Sequence, residues 1–440
     1  MEDLATRTAE KFHSHHATVG ILGLGYAGLP LACCFAEQGF RTVGFDVDSL
    51  KVRALCEGRS YIGHLPAERI QRLVERGMFR PTEDFDQLAS CDSAIICVPT
   101  PLGEGRTPDL TYVTETAKAI ASRLHRRQLV VLESTTYPGT TDEVLQEIFS
   151  ARGMEPGRDY FLAFSPERED PANANFDTRR IPKIVGGVTK DCLAVACAAY
   201  GEIVERVIPV SSARVAEAAK LLENIYRCVN IAMINELKLL FERMRIDIWE
   251  VIAAAATKPV GFTPFYPGPG LGGHCIPIDP FYLTWKARQF EFPTRFIELA
   301  GEINSAMPLY VVNRLMDGLN LEGKPLKEAE ILLIGVAYKR DVDDVRESPA
   351  LAIIRELERR LARVSYHDPH VPLLRSRHLH REMRSVPLTP EVVRSSDAVL
   401  IVTDHSGVDY PMLLDNCQLL IDSRNATAPH RKPGHKVILA

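Results

Sequence analysis

The sequence predicts an α/β fold in which two doubly wound domains are joined by a central all-helical domain. From about Thr18 to Val210, six β-rich runs alternate with helical stretches, and four more runs follow Leu319. Such alternation favours a parallel sheet covered by helices on both faces. Between Ser211 and Leu319 the pattern changes to long helices without strands. We therefore expect α/β, helical and α/β parts in that order.

These changes of pattern divide the chain of 440 residues into expected domains at 17–210, 211–319 and 320–440. A length of roughly 150 residues per domain agrees with three domains. Residues 1–16 are polar, begin with an acidic stretch and contain His13, His15 and His16. They do not resemble a signal peptide, and we expect them to form a mobile tail.

Composition excludes several classes of function. Hydrophobic residues make up 46% and charged residues 25%, with a net charge of −5, so the basic excess of a nucleic-acid-binding protein is absent. No apolar run approaches the ~20 residues of a membrane span. Ten cysteines without a CxxC pair favour neither a disulfide framework nor a zinc motif, and we expect no metal site. These features are typical of a cytoplasmic protein.

A glycine motif follows the first predicted strand. Gly23, Gly25 and Gly28 form GLGYAG between the run VGIL and a helical stretch. In this context glycines permit a tight turn, close approach of a pyrophosphate and close helix packing, although glycine turns also occur for steric reasons alone. Asp46 ends the next strand, where a carboxylate accepts hydrogen bonds from a ribose and repels a 2′-phosphate. The pattern indicates a dinucleotide site that prefers NAD to NADP.

A long helix with an apolar centre is predicted for the stretch ARVAEAAKLLENIYRCVNIAMINELKLLFE. Lys220 and Asn224 are spaced i, i+4 and share a face, with Glu217 and Asn230 on the same element. A solvated polar stripe is one interpretation. The alternative is a buried ammonium that meets an anion in an active site, because a buried cation is costly without a partner. The pattern alone favours neither.

A glycine–proline loop carries the one cysteine outside an apolar run that bears on function. Eleven of the 24 residues at 257–280 are Gly or Pro, so neither a helix nor a strand can persist. Cys275 follows His274 in this loop, and Asp279 comes four residues later. An inert thiol in a packed loop, with His274 capping a turn, is the simpler interpretation. Beside a nicotinamide, however, a thiol could add to an aldehyde, lose hydride and yield a thioester that water cleaves.

Taken together, these motifs make the chain resemble the nucleotide-sugar 6-dehydrogenases of the UDP-glucose/GDP-mannose dehydrogenase superfamily. The resemblance spans nearly all of residues 17–430, through GLGYAGLP, ESTTYPGT, FSPERED, AKLLEN, GPGLGGHCIPID and GVAYKRDVDDVRESP. It implies two Rossmann-like domains around a helical dimerisation domain. The first would bind NAD and the last the nucleotide of a UDP-sugar. It also implies oxidation of the sugar C6 alcohol to a carboxylate in two NAD-dependent steps, by a homodimer or higher homo-oligomer without nucleic-acid or membrane partners.

The resemblance also implies catalytic roles. Cys275 would be the nucleophile that forms the thiohemiacetal and thioester, and Lys220 and Asn224 would stabilise the oxyanion at C6. Asp279 would position or activate water and hold Lys220. Thr135 would touch that water and the nicotinamide side. Glu167 would act as an acid or base, through water.

The remaining implied roles are in binding. Arg346 would reach NAD, Lys339 and Arg424 would meet the nucleotide phosphates, and 266–272 would wrap the sugar and uridine. The expected cofactor residues are Gly23, Gly25, Tyr26, Gly28, Asp46, Thr100, Thr135 and Arg346. The expected substrate residues are Glu167, Arg168, Lys220, Asn224, Lys258, Tyr266, Gly270, Gly272, Lys339 and Arg424.

Two departures bear on the substrate. Lys258-Pro259 stands where many UDP-glucose enzymes have an arginine that reaches the partner's substrate. The stretch FSPEREDPANANFDTRRIPKIVGG resembles the branch that oxidises UDP-N-acetylglucosamine, while UDP-glucose, UDP-N-acetylmannosamine and UDP-N-acetylgalactosamine remain alternatives. Two other functions also remain: a two-electron hydroxy-acid dehydrogenase, which needs neither Cys275 nor a second α/β domain, and a non-catalytic NAD-binding protein.

Overall fold

The structure is a computed structural model that describes residues 4–63, 65–168, 179–273, 275–376, 378–379 and 381–440. The chain divides into two compact units. The first comprises Met1–Glu223 and Phe281–Phe292, and the second comprises Asn224–Pro280 and Pro293–Ala440. Among the described residues, none of the helices combines the length and the apolar character that crossing a bilayer requires.

An eight-stranded sheet forms the centre of the first unit. Its strands are β1 (Thr18–Leu22), β2 (Arg41–Phe45), β3 (Phe79–Thr82), β4 (Ser93–Ile96), β5 (Leu129–Leu132), β6 (Phe161–Phe164), β7 (Lys183–Gly187) and β8 (Val207–Val210). Its helices are α1 (Leu4–His13), α2 (Gly28–Glu37), α3 (Ser49–Cys56), α4 (Ala67–Glu75), α5 (Thr111–Ala121), α6 (Gln146–Ser150) and α7 (Lys190–Gly201). The order β3-β2-β1-β4-β5-β6-β7-β8 reverses direction between β1 and β4, which opens a crevice at the carboxyl ends of these strands.

The predicted parallel sheet is found, with one exception. β7 pairs antiparallel to β6, with Ala163 opposite Gly187 and Phe164 opposite Gly186. An antiparallel neighbour begins at the edge where the preceding strand ends, so it needs no crossover. Neither β3 nor β7 is among the predicted strands, because Pro81 and the pair Gly186-Gly187 weaken the β-rich pattern there.

Residues 4–13 form a packed helix where a tail was expected. Helix α1 buries Ala5, Thr8 and Phe12, and Phe12 is fully inaccessible to solvent. Their spacing places them on one helical face, which joins the core beside α2 and α7. His15 stacks on Phe40 with ring centroids 4.7 Å apart. The expectation of a mobile tail is therefore wrong for residues 4–16.

Long helices occupy most of the central part, and no strand occurs within the described residues of 211–319. They are α8 (Ala213–Arg243), α9 (Ile248–Ala256), α10 (Asp279–Arg288) and α11 (Arg295–Leu321). The boundary between the two units falls within α8 and within α10. The single predicted helix matches α8, but its apolar residues are not buried all round. Leu222 is 67% exposed and Met233 is 46% exposed.

A five-stranded parallel sheet forms the core of the second unit. Its strands are β9 (Glu330–Ile334), β10 (Arg363–His367), β13 (Ala398–Ile401), β14 (Leu420–Asp422) and β15 (Val437–Leu439), in the order β10-β9-β13-β14-β15. The two-stranded ribbon of β11 (Leu373–Leu374) and β12 (Met383–Arg384) and the helices α12 (Pro349–Arg359), α13 (Pro390–Ser395) and α14 (Tyr410–Asn416) complete it. The strand order reverses between β9 and β13, so this sheet also has, at the carboxyl ends of its strands, the kind of crevice in which α/β proteins bind ligands.

Candidate active site

In the turn after β1, two of the three glycines are required by protein packing and one is not. Gly23 has φ +94°, and a Cβ there would lie 2.7 Å from the Cys97 carbonyl oxygen. A Cβ on Gly28 would lie 1.9 Å from the Gly23 carbonyl oxygen. A Cβ on Gly25, by contrast, would meet nothing within 4 Å. Steric need explains Gly23 and Gly28 but not Gly25, whose bare backbone leaves open space at the N-terminus of α2, where the sequence predicts a pyrophosphate.

Asp46 is held at the same turn. Its Oδ2 accepts a 2.9 Å hydrogen bond from the Leu24 N–H, and its Oδ1 accepts one of 3.0 Å from the Asp48 N–H. Lys51 Nζ lies 3.7 Å from the carboxylate. The glycine turn and the acid at the end of β2 are thus one assembly, which fits a dinucleotide. Of the other predicted cofactor residues in this unit, Tyr26 is half-buried and Thr100 is buried.

The loop after β5 carries Thr135 and is tied to α8 by Glu217. The buried Glu217 carboxylate accepts hydrogen bonds from Gly139 N at 2.7 Å, Thr141 N at 2.9 Å and Thr141 Oγ1 at 2.7 Å. Burial raises the pKa of Glu217 to about 7, against the effect of these three donors. Thr135, four residues before Gly139, is half-buried. Glu217 therefore positions this loop relative to the helix that carries Lys220.

A second strand-end loop, after β6, contacts the same helix. Lys220 is only 6% exposed, and its Nζ lies 3.9 Å from Glu167 Oε2. Arg168 donates to the Pro182 carbonyl oxygen at 2.6 Å and pairs with Glu223 at 2.6 Å. The structure thus brings the predicted Glu167, Arg168 and Lys220 together. It excludes the solvated stripe for Lys220, which is a buried ammonium beside a carboxylate.

In the second unit, α8 meets the first residue of α10. Asn224 Nδ2 donates a 2.5 Å hydrogen bond to Asp279 Oδ2, and the two residues are 8% and 1% exposed. Asp279 N donates to the Cys275 carbonyl oxygen at 2.8 Å, so Cys275 sits one helical turn before Asp279. The Cys275 residue is partly exposed. Asn224, Cys275 and Asp279 therefore form one cluster, while His274 lies outside the described residues.

Glycines hold the cysteine loop against the segment after β9. Gly273 has φ +84°, and a Cβ there would lie 2.9 Å from the Tyr338 ring. Gly273 N donates to the Arg346 carbonyl oxygen at 3.0 Å. A Cβ on Gly272 would lie 2.7 Å from Tyr338 Cβ. Gly270 has φ +130° and faces Pro308 and Pro349. The loop sequence is thus set by close packing on the segment that carries Lys339 and Arg346.

The middle of the loop lies beside Arg424. A Cβ on Gly268 would lie 2.5 Å from Arg424 Nη1, so a larger residue there would displace the Arg424 guanidinium. Gly268 N donates to the buried Asn235 Oδ1 at 3.1 Å, and Asn235 Nδ2 donates to Asn304 Oδ1 at 2.9 Å. This amide pair links α8, α11 and the loop.

The other predicted residues of this unit are more exposed. Tyr266 is 53% exposed and stacks on Trp249 with centroids 5.8 Å apart. Lys258 is exposed, Lys339 is half-buried, and the exposed Arg346 pairs with Asp344 at 2.7 Å. Gly268 therefore contacts Arg424, the cysteine loop contacts the Arg346 backbone, and Lys258 lies on the surface.

One buried network was not predicted. Lys183 Nζ lies 2.8 Å from Glu133 Oε2, and Tyr200 Oη donates to Glu133 Oε1 at 2.5 Å. Glu133 and Lys183 line a cleft that also contains Glu167 and Arg168. The only sequence signal is Glu133 within a β-rich run, two residues before Thr135. Its lysine partner lies 50 residues away, so no local pattern connects them.

Three family models match the chain in sequence order. They are the NAD-binding domain, the central domain and the UDP-binding domain of the UDP-glucose/GDP-mannose dehydrogenase family, at residues 17–204, 214–306 and 332–429. The first match agrees with the glycine turn and Asp46, and NAD is the cofactor of this domain. The third match contains the carboxyl edge of the five-stranded sheet.

Whole-chain comparisons agree with these matches. The chain is 33% identical to UDP-N-acetyl-D-mannosamine dehydrogenase of Pyrococcus horikoshii, over 92% of this chain and 95% of the relative. It is 35% identical to UDP-N-acetyl-D-glucosamine 6-dehydrogenase of Pseudomonas aeruginosa, over 88% and 90%. A solved structure of the Pyrococcus horikoshii UDP-D-ManNAc dehydrogenase has a TM-score of 0.86 at 31% identity and covers 96% of this chain and 98% of its own. The chain therefore belongs to the UDP-glucose/GDP-mannose dehydrogenase family.

Proposed function

We propose that this enzyme oxidises the C6 alcohol of a UDP-sugar to a carboxylate in a four-electron, NAD-dependent reaction, with UDP-N-acetylglucosamine as the first candidate substrate. The cluster of Cys275, Asp279 and Asn224 carries this proposal. A single oxidation to an aldehyde needs no thiol, whereas a second oxidation needs a nucleophile that turns the aldehyde into a hydride donor. Cys275 is that nucleophile, on a loop fixed by Gly272 and Gly273.

In this reaction NAD accepts one hydride in each of the two oxidations. The Cys275 sulfur adds to C6 of the aldehyde, a C–S bond forms, and the carbonyl oxygen becomes the hydroxyl of a thiohemiacetal. Oxidation of this adduct leaves a thioester. Water then attacks C6, the C–S bond breaks, and the thiol and the free carboxylate are released.

The buried polar groups of α8 supply the electrostatics. Lys220 and Asn224 stabilise negative charge on the C6 oxygen, where a buried cation and an amide N–H act at low dielectric. Asp279 holds the Asn224 amide and orients the hydrolytic water. Glu167 acts as acid or base and Thr135 as water ligand, and the 3.9 Å separation of Glu167 Oε2 from Lys220 Nζ places this carboxylate beside the oxyanion-stabilising ammonium.

Binding of the two nucleotides follows from the two sheet crevices. Gly25 and Asp46 fit the pyrophosphate and ribose of NAD. Lys339 and Arg424 follow β9 and β14 at the carboxyl edge of the second sheet, where cations fit the diphosphate of the substrate. Arg346, whose carbonyl oxygen accepts a hydrogen bond from the cysteine loop, is the proposed contact to NAD.

The sugar of the substrate is proposed from the relatives and from one sequence stretch. The relatives are named for N-acetylmannosamine and N-acetylglucosamine nucleotides, which supports a 2-acetamido sugar over glucose. The stretch that favours UDP-N-acetylglucosamine includes 169–178, which lie outside the described residues. Lys258 is exposed near the start of the 257–280 loop, and we propose it as a contact to a substrate held by a partner.

We also infer a homodimer formed through the central helices. Within the second unit, Tyr226, Met233 and Leu240 recur every seven residues along α8 and are 51%, 46% and 48% exposed. On α11, Phe296 is 79% exposed. An apolar stripe of this kind is typical of a helix that packs on a second copy. A cytoplasmic location is supported by the cysteines, since none of the ten forms a disulfide.

A panel of UDP- and GDP-sugars, with NADH absorbance and product mass as readouts, tests the proposal. We expect turnover of a UDP-2-acetamido sugar. The product should be about 14 mass units heavier than the substrate, which is the change from CH2OH to COOH, and about two NADH should form per sugar oxidised. An aldehyde product, or turnover of a simple hydroxy acid, would instead support a two-electron dehydrogenase. NAD binding without turnover of any sugar would support a non-catalytic protein.

A further inference from the structure

A buried histidine ties together three loops at the carboxyl edge of the second sheet. His405 follows β13 and is fully inaccessible to solvent. Its Nε2 lies 3.0 Å from Asp368 Oδ2, and its Nδ1 accepts a 3.0 Å hydrogen bond from the Asp341 N–H. An amide N–H can only donate, so Nδ1 carries the lone pair and Nε2 carries the proton. The partners therefore place the acceptor at Nδ1 and the donor at Nε2.

Each partner belongs to a different loop. Asp341 follows β9, Asp368 follows β10 and His405 follows β13. Asp368 Oδ2 also accepts from Val336 N at 2.8 Å and Ala337 N at 3.0 Å. Burial alone would raise the pKa of Asp368, but the hydrogen bonds from His405 and the backbone hold it at about 2. The carboxylate stays ionised, and one ring connects all three loops.

The same loops carry the cations of the crevice. Lys339 and Arg340 immediately precede Asp341, and Asp404 immediately precedes His405. Asp404 pairs with Arg340 and lies 3.3 Å from Arg424 Nε. The Asp341 carboxylate in turn accepts from Ser406 N at 2.9 Å and Ser406 Oγ at 2.7 Å, which closes the β9 loop on the β13 loop. Two guanidiniums share Asp404, while Asp341 and Asp368 accept from Ser406, His405 and backbone N–H groups. The two arginines together therefore carry more N–H donors than one carboxylate can accept, which suits an anion.

We propose that His405 is a positioning residue for the diphosphate of the UDP-sugar, holding Arg340 and Arg424 around Asp404, with Arg340 as a further phosphate-binding cation. This inference rests on the proposed function. In this role His405 acts through Arg340 and Asp404 and not by touching the substrate. His405 fixes the relative position of the loops that carry Arg340 and Asp404. Replacing His405 therefore lowers nucleotide affinity and leaves the chemistry at C6 intact.

A metal site at this place is the competing explanation. Ligand atoms of Asp341, His370 and His405 lie within 4.8 Å of one another. A metal would require the Nδ1 lone pair of His405, which the Asp341 N–H already occupies. Asp341 Oδ1 is likewise used by Ser406. Hydrogen bonding therefore accounts for the arrangement without an ion.

Calorimetric titration of the full chain with UDP tests the inference. His405→Gln offers an acceptor and a donor in similar positions, so we expect near wild-type affinity. His405→Leu removes both hydrogen bonds, and the side chain of His405→Asn is too short to make both. For each variant we expect the affinity for UDP to fall, and the KM for UDP-sugar to rise, by about tenfold or more. The kcat at saturation should stay within about threefold. His435→Leu is the control, because His435 precedes β15 at the opposite edge of the sheet.

The outcomes separate this inference from the proposed function. Failure of the wild-type chain to bind UDP would overturn the proposed function. Wild-type UDP affinity in His405→Leu and His405→Asn, both shown folded by thermal unfolding, would overturn the positioning role alone. Loss of UDP binding after EDTA treatment, restored by zinc, would overturn it in favour of a metal site.

Discussion

The side-chain amide of Asn224 donates a 2.5 Å hydrogen bond to Oδ2 of Asp279, so a residue of α8 and the first residue of α10 share one buried polar contact. This contact fixes which end of the Asn224 amide faces Asp279. Asp279 in turn donates its backbone N–H to the Cys275 carbonyl oxygen at 2.8 Å, so the contact lies one helical turn from the cysteine. The chemistry proposed here depends on that geometry.

Asn224→Asp tests the contact directly. It would place two buried carboxylates side by side, so one of them must take up a proton or repel the other. We expect a fall in kcat of about 100-fold or more at pH 8 and a loss of stability of about 2–3 kcal/mol, both smaller at pH 6. Steady-state kinetics and thermal unfolding at the two pH values measure this. Equal effects at both pH values would argue against the paired carboxylates.

Cys275→Ala tests the nucleophile. Because the residue is only partly buried, we expect a stability change below about 1 kcal/mol. Net formation of sugar acid should fall by at least about 10⁴-fold, while NAD and UDP affinities remain. Cys417→Ala is the matched control, since Cys417 is also partly buried and lies in the same unit. Sugar-acid formation by Cys275→Ala at a rate near wild type would contradict the thioester route.

Glycine substitutions separate packing from cofactor binding. Gly25→Ala adds a Cβ that meets no protein atom, so we expect unchanged thermal stability and a KM for NAD raised about tenfold or more. Gly28→Ala drives a Cβ into the Gly23 carbonyl and should cost about 3 kcal/mol or more. Gly201→Ala, which also meets no atom within 4 Å, should change neither quantity. An unaltered KM for NAD in Gly25→Ala would count against the pyrophosphate assignment.

Titration of Glu217 should make the free energy of unfolding depend on pH. Its folded pKa of about 7 exceeds the ordinary value of 4.5, so the folded chain holds this proton more tightly than the unfolded chain. Its contribution to the free energy of unfolding therefore falls as pH rises from about 4.5 to about 7, by up to about 3 kcal/mol. Denaturant unfolding across this range should show this fall in the wild type and not in Glu217→Gln.

The control for that measurement is Glu147→Gln, because Glu147 is exposed on α6. It should retain the wild-type pH profile. A wild-type profile in Glu217→Gln as well would mean that the buried carboxylate does not titrate in this range.

Local motifs predicted the parts of the fold and site that depend on neighbouring residues. The strand–glycine–helix order around Gly23 and Gly28 is a short-range constraint, and the structure shows the close contacts that require it. The spacing of Lys220 and Asn224 placed them on one helix face, and both are buried there.

Features that depend on distant partners could not be predicted in the same way. The spacing of Ala5, Thr8 and Phe12 has meaning only because α2 and α7 provide a surface for α1. The partners of Glu217 lie 76 and 78 residues away, and those of His405 lie 37 and 64 residues away. The exposure of Leu222 and Met233 could not be predicted either, because it depends on which face of α8 the rest of the chain covers.

The number of NADH molecules formed per UDP-sugar consumed tests the central claim most directly. With UDP-N-acetylglucosamine limiting and NAD in excess, or with whichever sugar the panel selects, the thioester route through Cys275 predicts two NADH at completion, with no free aldehyde. A final ratio of one, with aldehyde trapped by hydroxylamine from the wild-type enzyme, would contradict the account.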